Sequence, residues 1–179
     1  MKTILTTFAL LAATSAGAVT FDFADLGYEG PFQGLTVDGV TVTGSPGTYA
    51  DGYSGGRPAG LGWCVGACAG SALDNIGPGD PDVELTFSEK VKLTGFEFRD
   101  GDHYLLNGKV AVNGATYSVL NGLIDGWNPD AADTTHSFGY VDGDPIYLRA
   151  ATVAAVPLPA GLALMLTGIA AFGLVRRKS

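Results

Sequence analysis

The chain reads as an all-β protein: a single antiparallel β-sandwich of jelly-roll-like character, flanked by a secretory signal peptide and a C-terminal transmembrane helix. Three observations predict this. Apolar and polar residues alternate in short runs through the middle of the chain, Asn-Gly and Asp-Gly pairs punctuate those runs, and nothing between the two apolar ends sustains a helical period. A period of two buries one face of a strand and wets the other. Short strands with frequent turns favour a sandwich, with a barrel as its rival.

The alternation is seen in Val83-Glu84-Leu85-Thr86-Phe87, Val91-Lys92-Leu93, Phe96-Glu97-Phe98, Val110-Ala111-Val112 and Tyr117-Ser118-Val119. The turn pairs are Asp38-Gly39, Asp51-Gly52, Asp100-Gly101, Asn107-Gly108, Asn113-Gly114, Asn121-Gly122, Asp125-Gly126 and Asp142-Gly143. Such pairs suit the positive φ angles of type I′ turns. A meander is expected over residues 105–120. Residues 44–79 are rich in Gly, Pro, Ser and Ala, which predicts long loops with at most one strand, and loops are where ligand contacts concentrate.

The two ends read differently from the middle. Lys2 supplies a positive start, residues 4–13 are mostly apolar, and Ala16-Gly17-Ala18 offers small residues at a cleavage site. That order is a secretory signal peptide, with cleavage expected between Ala18 and Val19. At the far end, residues 160–175 carry no charge, and counting from Val156 extends this to twenty uncharged residues. A membrane-crossing helix needs ~20 apolar residues. Arg176, Arg177 and Lys178 follow at once, and an excess of basic residues stays on the cytoplasmic side. Both ends imply one topology: module outside, short basic tail inside. The organisation expected is a signal peptide (1–18), a β module (19–152) and a C-terminal segment (153–179).

The charge balance excludes one class of partner. The chain holds 18 acids and 10 bases, a net charge of −8, and every acid lies in the middle of the sequence. Nucleic-acid binding needs a basic face, so no nucleic-acid partner is expected.

An ordinary anchor does not require prolines at its outer edge. Here Val156-Pro157-Leu158-Pro159-Ala160, an apolar run and a basic tail follow one another at the end of the sequence. This arrangement resembles the VPLPA-CTERM sorting signal, a variant of the PEP-CTERM class of Gram-negative bacteria. The resemblance covers residues 156–179. It implies that Val156, Pro157, Leu158, Pro159 and Ala160 are the recognition motif of an exosortase-like transpeptidase. It also implies that the helix holds the precursor in the inner membrane as a single pass, and that the basic residues fix its orientation. Proline lacks an N–H and resists helix, so this pentapeptide should be extended, the form a protease-like cleft accepts. The family is associated with exopolysaccharide, biofilm and delivery to the cell surface or extracellular matrix. The segment from Gly60 to His103 also resembles stretches of PEP-CTERM-type ectodomains, and no activity comes with that likeness. A plain membrane anchor capped by prolines is the alternative.

Candidate chemistry is sparse. Cys64 and Cys68 are the only cysteines; beyond a signal peptide, two neighbouring cysteines pair as a disulfide. Half of a metal site, completed by His103 or His136, is the alternative. Gly52-Tyr53-Ser54-Gly55-Gly56 spells G-x-S-x-G, but a nucleophile elbow needs a strand before the Ser and a helix after it, and neither is expected. No cofactor is required by any motif. If an oxygen-ligated Ca²⁺ site exists, its first candidates are Asp74, Asn75, Asp100 and Asp102. Trp127, among turn formers in Asp125-Gly126-Trp127-Asn128-Pro129, reads as an exposed platform for a sugar ring. The leading expectation is an exported, non-enzymatic surface or matrix protein. A carbohydrate-binding module, calcium-dependent or not, is the second reading, and a secreted hydrolase the third.

Overall fold

The computed structural model describes residues 17–52, 57, 59–66, 68, 74–128 and 131–156. Most of the expected signal peptide lies outside them, as do Pro157 to Ala160, the apolar run and the basic tail. The described residues form twelve strands and no helix. These are β1 (Ala18–Asp22), β2 (Glu29–Pro31), β3 (Leu35–Val37), β4 (Val40–Gly44), β5 (Thr48–Asp51) and β6 (Gly60–Trp63). They continue with β7 (Val83–Asp100), β8 (Gly108–Val112), β9 (Ala115–Leu120), β10 (Leu123–Ile124), β11 (Asp133–Asp142) and β12 (Ile146–Ala155).

All pairings are antiparallel, in the order β10-β9-β8-β11-β7-β12-β6-β5-β2, with β1 on β12, β4 on β7 and β3 on β4. The described residues are therefore all-β and antiparallel, as the alternation predicts.

β7 organises the sheet. Its first part pairs with β4 and β11, and its second part with β12. Val83, Leu85, Phe87, Val91 and Leu93 are buried at odd positions, whereas Phe96 and Phe98 are buried at even ones. A bulge makes the switch. Leu93 pairs with Val153 and Gly95 with Thr152, so Thr94 is an extra residue on β7. One inserted residue reverses which face each later side chain occupies. β12 carries a matching bulge: Leu148 pairs with Phe98 and Ala150 with Glu97, leaving Arg149 extra. The three separate alternating runs between Val83 and Phe98 are thus one 18-residue strand, concealed by the exposed Ser88, Glu89 and Lys90 and by the change of phase.

The turn pairs divide by backbone. Asp38-Gly39 (φ 49° and 84°), Asn113-Gly114 (50° and 76°) and Asn121-Gly122 (50° and 79°) are left-handed at both residues. Each closes a two-residue hairpin, β3–β4, β8–β9 and β9–β10. The expected meander over 105–120 is present in the last two. At Asp100-Gly101 the left-handed residue is instead His103, at φ 66°. Residues 44–79 hold two strands rather than one, β5 and β6, which pair with each other. β6 runs close against its neighbours because it begins with glycines: a Cβ on Gly60 would overlap the Leu148 backbone, and one on Gly62 the Asp74 backbone.

The core draws on nearly every strand. Phe21, Phe23, Leu61, Leu85, Phe98, Phe138 and Leu148 are fully buried and belong to one cluster. Each large apolar side chain so buried contributes roughly 1.5–3 kcal/mol. The last strand runs three residues past the expected module boundary at 152.

Candidate functional site

Two polar clusters stand out, one closed and one open. The closed cluster joins the end of β5, the turn after β7 and the start of β12. His103 Nδ1 lies 2.7 Å from the Arg57 carbonyl oxygen, and its Nε2 lies 3.2 Å from Asp51 Oδ2. Its ring meets Tyr147 edge to face at 5.3 Å. Both ring nitrogens face oxygen acceptors. Beside it, the Tyr147 hydroxyl donates to Asp74 Oδ1 at 2.5 Å. Asp51, Asp74 and Tyr147 are 2, 3 and 1% exposed. Burial raises the Asp74 carboxyl above its ordinary range, while the Tyr147 hydrogen bond opposes that rise. Burial and then the Asp74 bond push the Tyr147 hydroxyl upward. Above the cluster, the Arg57 guanidinium sits 4.3 Å from the centre of the Tyr104 ring, a cation–π contact.

This arrangement clamps chain to chain. A hydrolytic triad needs a histidine with one nitrogen on its orienting acid and the other on the nucleophile. Here a backbone carbonyl occupies the second nitrogen of His103. His136 is also committed. It is buried in the core, with Nε2 3.3 Å from the Val91 carbonyl and Nδ1 3.1 Å from Asn113 Nδ2. Ser54 lies outside the described residues.

The Ca²⁺ candidates lie in different settings. Asp74 is buried against Tyr147. Asp100 accepts the backbone N–H groups of Asp102 (3.0 Å) and Tyr104 (2.8 Å) through Oδ1, the geometry of an Asx turn. Asp102 is exposed and Asn75 half-buried. Among the described residues no three His, Cys, Asp or Glu side chains are grouped to hold a metal ion. Cys64 and Cys68 do come together: they are disulfide-bonded, with Cα atoms 6.2 Å apart. Both are buried with Tyr49 in a small second cluster. Beside them lies a cavity of about 370 Å³ bordered by Pro31 and Thr48.

The open cluster surrounds Arg149. Its guanidinium bridges two carboxylates, Glu97 Oε2 at 2.5 Å and Asp22 Oδ2 at 3.1 Å. These groups line a groove of about 380 Å³. Trp127 stands at the same groove. It is not the free platform expected from its neighbours. Its indole N–H donates to the Leu93 carbonyl at 3.2 Å. Its ring meets Phe96 at 4.7 Å and Tyr117 at 5.0 Å, both near edge to face. The turn residues around it hide a ring that reaches back to the sheet.

Sequence reading missed Asp22, Glu97 and Arg149. One signal was there: Arg149 is the single charge in Ile146-Tyr147-Leu148-Arg149-Ala150-Ala151-Thr152-Val153, and a lone charge inside an apolar strand asks for a partner. Its partners are 52 and 127 residues away, so only the sheet register reveals them. Among the described residues no helix is long and apolar enough to cross a membrane; the expected span at 160–175 falls outside them. Comparison with protein-family models, curated proteins and solved structures finds no match.

Proposed function

We propose that the chain is an exported, non-enzymatic surface or matrix protein of a Gram-negative bacterium. Its β module, a sheet folded on itself as a sandwich, is cargo. The signal peptide exports it, the C-terminal helix holds the precursor in the inner membrane, and an exosortase-like transpeptidase acts at Val156 to Ala160. The observation that carries this reading is the three-part order of the sequence from Val156: proline motif, uncharged run, basic tail.

The described strands run from Ala18, the last residue of the expected signal peptide, to Ala155, three residues into the expected C-terminal segment. Val156 is exposed and its N–H donates to the Lys90 carbonyl at 3.2 Å. Val156, the first residue of the motif, directly follows β12. The sandwich is supported by β7, whose two parts pair with different neighbours around a shared core.

Mass spectrometry of the protein from cells that carry the sorting enzyme tests the proposal. The expected product lacks both the first 18 residues and the basic tail. Replacing Pro157 and Pro159 with Ala should shift the population to the uncleaved precursor. An intact C-terminus in the wild-type protein from those cells overturns the reading.

A further inference from the structure

We propose that the groove at Arg149 is a binding site for a neutral saccharide. This goes beyond the export reading and does not depend on it. The groove's volume of about 380 Å³ falls within the ~300–1,000 Å³ of small-molecule sites. Two β-bulges converge on it: the extra residues of β7 and β12, Thr94 and Arg149, both line it. Bulges re-aim side chains and are over-represented beside functional sites.

The charges select the ligand class. Arg149 is held between Asp22 and Glu97, so two carboxylates outweigh one guanidinium. Phosphates, sulfates and uronates meet net negative charge. A bare cation meets the guanidinium. A neutral, hydroxyl-rich ligand meets neither penalty. Carboxylate oxygens accept from its hydroxyls and guanidinium N–H groups donate to them. Thr20 and Thr152, whose hydroxyls bond each other at 3.0 Å, retain lone pairs at the rim. The opposite wall is apolar. Leu123 is 57% exposed, and with Ile124 and the Trp127 ring it offers a surface for the C–H face of a sugar.

The polar groups are already in place. Asp22 also accepts the Ala24 N–H at 3.1 Å, and Trp127 is anchored through its indole N–H. A site whose rotamers are fixed by such contacts binds without a large ordering cost. The groove also has room because Gly95 has no side chain. A Cβ there would meet only Thr152, at 3.7 Å, and the residue is not among the positive-φ positions. A larger residue at 95 fills the groove without straining the backbone.

The test applies the full-length chain, in detergent micelles, to an array of neutral and uronate-containing oligosaccharides, with Gly95→Leu and Arg149→Lys alongside. Wild type should retain at least one neutral glycan. Gly95→Leu should weaken that binding by ~10-fold or more, about 1.4 kcal/mol, at an unchanged thermal midpoint. Arg149→Lys should weaken it in the same direction, because an ammonium loses the guanidinium's planar pair of donors. Retention of no neutral glycan, a preference for uronates, or equal binding by Gly95→Leu each overturns the proposal. If Gly95→Leu lowers the midpoint, Arg149→Lys decides, and undiminished affinity there counts against the site.

Discussion

The His103 cluster and the Arg149 groove use the same kinds of side chain for opposite ends. At His103, two acids are withdrawn from water and each contact ties one segment to another. At Arg149, the ion pairs remain about a quarter to two-fifths exposed and face an open groove. Burial makes the difference. A charge pair deep in protein fixes its partners because separating them leaves a charge without solvent. A pair at the surface is screened and holds little energy. The first cluster should therefore report on folding, and the second on binding.

The largest effect that separates the two is expected from His103→Ala. Removing the imidazole takes one hydrogen-bond partner from the buried Asp51 carboxyl and frees the Arg57 carbonyl. A loss of about 3 kcal/mol is expected, read as a shift in the denaturant midpoint. A loss no greater than that of an exposed ion pair would place this cluster with the groove and erase the contrast. Tyr147→Phe comes next. It keeps the ring against His103 and removes only the hydroxyl, so Asp74 loses its donor at a cost of about 1–3 kcal/mol. An unchanged midpoint would mean that Asp74 finds another donor at no cost.

A pH series sharpens the same comparison. Folding raises the Asp74 carboxyl above its reference value of 3.8, so the native state holds that proton more tightly than the unfolded chain does. Its contribution to stability is full below the unfolded value and is lost as pH rises through the folded one. Asp74→Asn cannot lose a proton. The variant should gain stability relative to wild type as pH rises from about 4 through the raised value, and then run parallel to it. Parallel curves throughout that interval would show that Asp74 titrates alike in both states.

Much of this architecture was legible in the chain, and the gaps have physical causes. Asn113-Gly114 and Asn121-Gly122 marked their hairpins because a two-residue turn of the right hand demands positive φ at both positions. Asp100-Gly101 misled because the left-handed residue of that turn is His103. β7 looked like three strands because the exposed Ser88, Glu89 and Lys90 interrupt the alternation and the Thr94 bulge then changes its phase. β12 was missed because Ala150-Ala151 and Thr152 carry weak contrast between its faces. The Cys64–Cys68 pair was legible from the expected export and from spacing, since four positions along a chain keep two side chains near each other. The Arg149 site was not found, because its acids come from β1 and β7 and meet only once the register is set.

The smallest stability change is expected from Arg149→Lys, and it discriminates most cleanly. Arg149 Nε is buried with no hydrogen-bond partner among the described residues, a cost that lysine does not carry. Lysine keeps the positive charge between Asp22 and Glu97 but gives up the fork that reaches both. The lost pairing and the removed orphan donor oppose each other, so the net change should stay within about 1 kcal/mol. His103→Ala should exceed it severalfold in the same denaturation assay. If Arg149→Lys instead unfolds the chain as readily as His103→Ala, the ion triad is a structural clamp, and the groove is shaped by the needs of the fold rather than by a ligand.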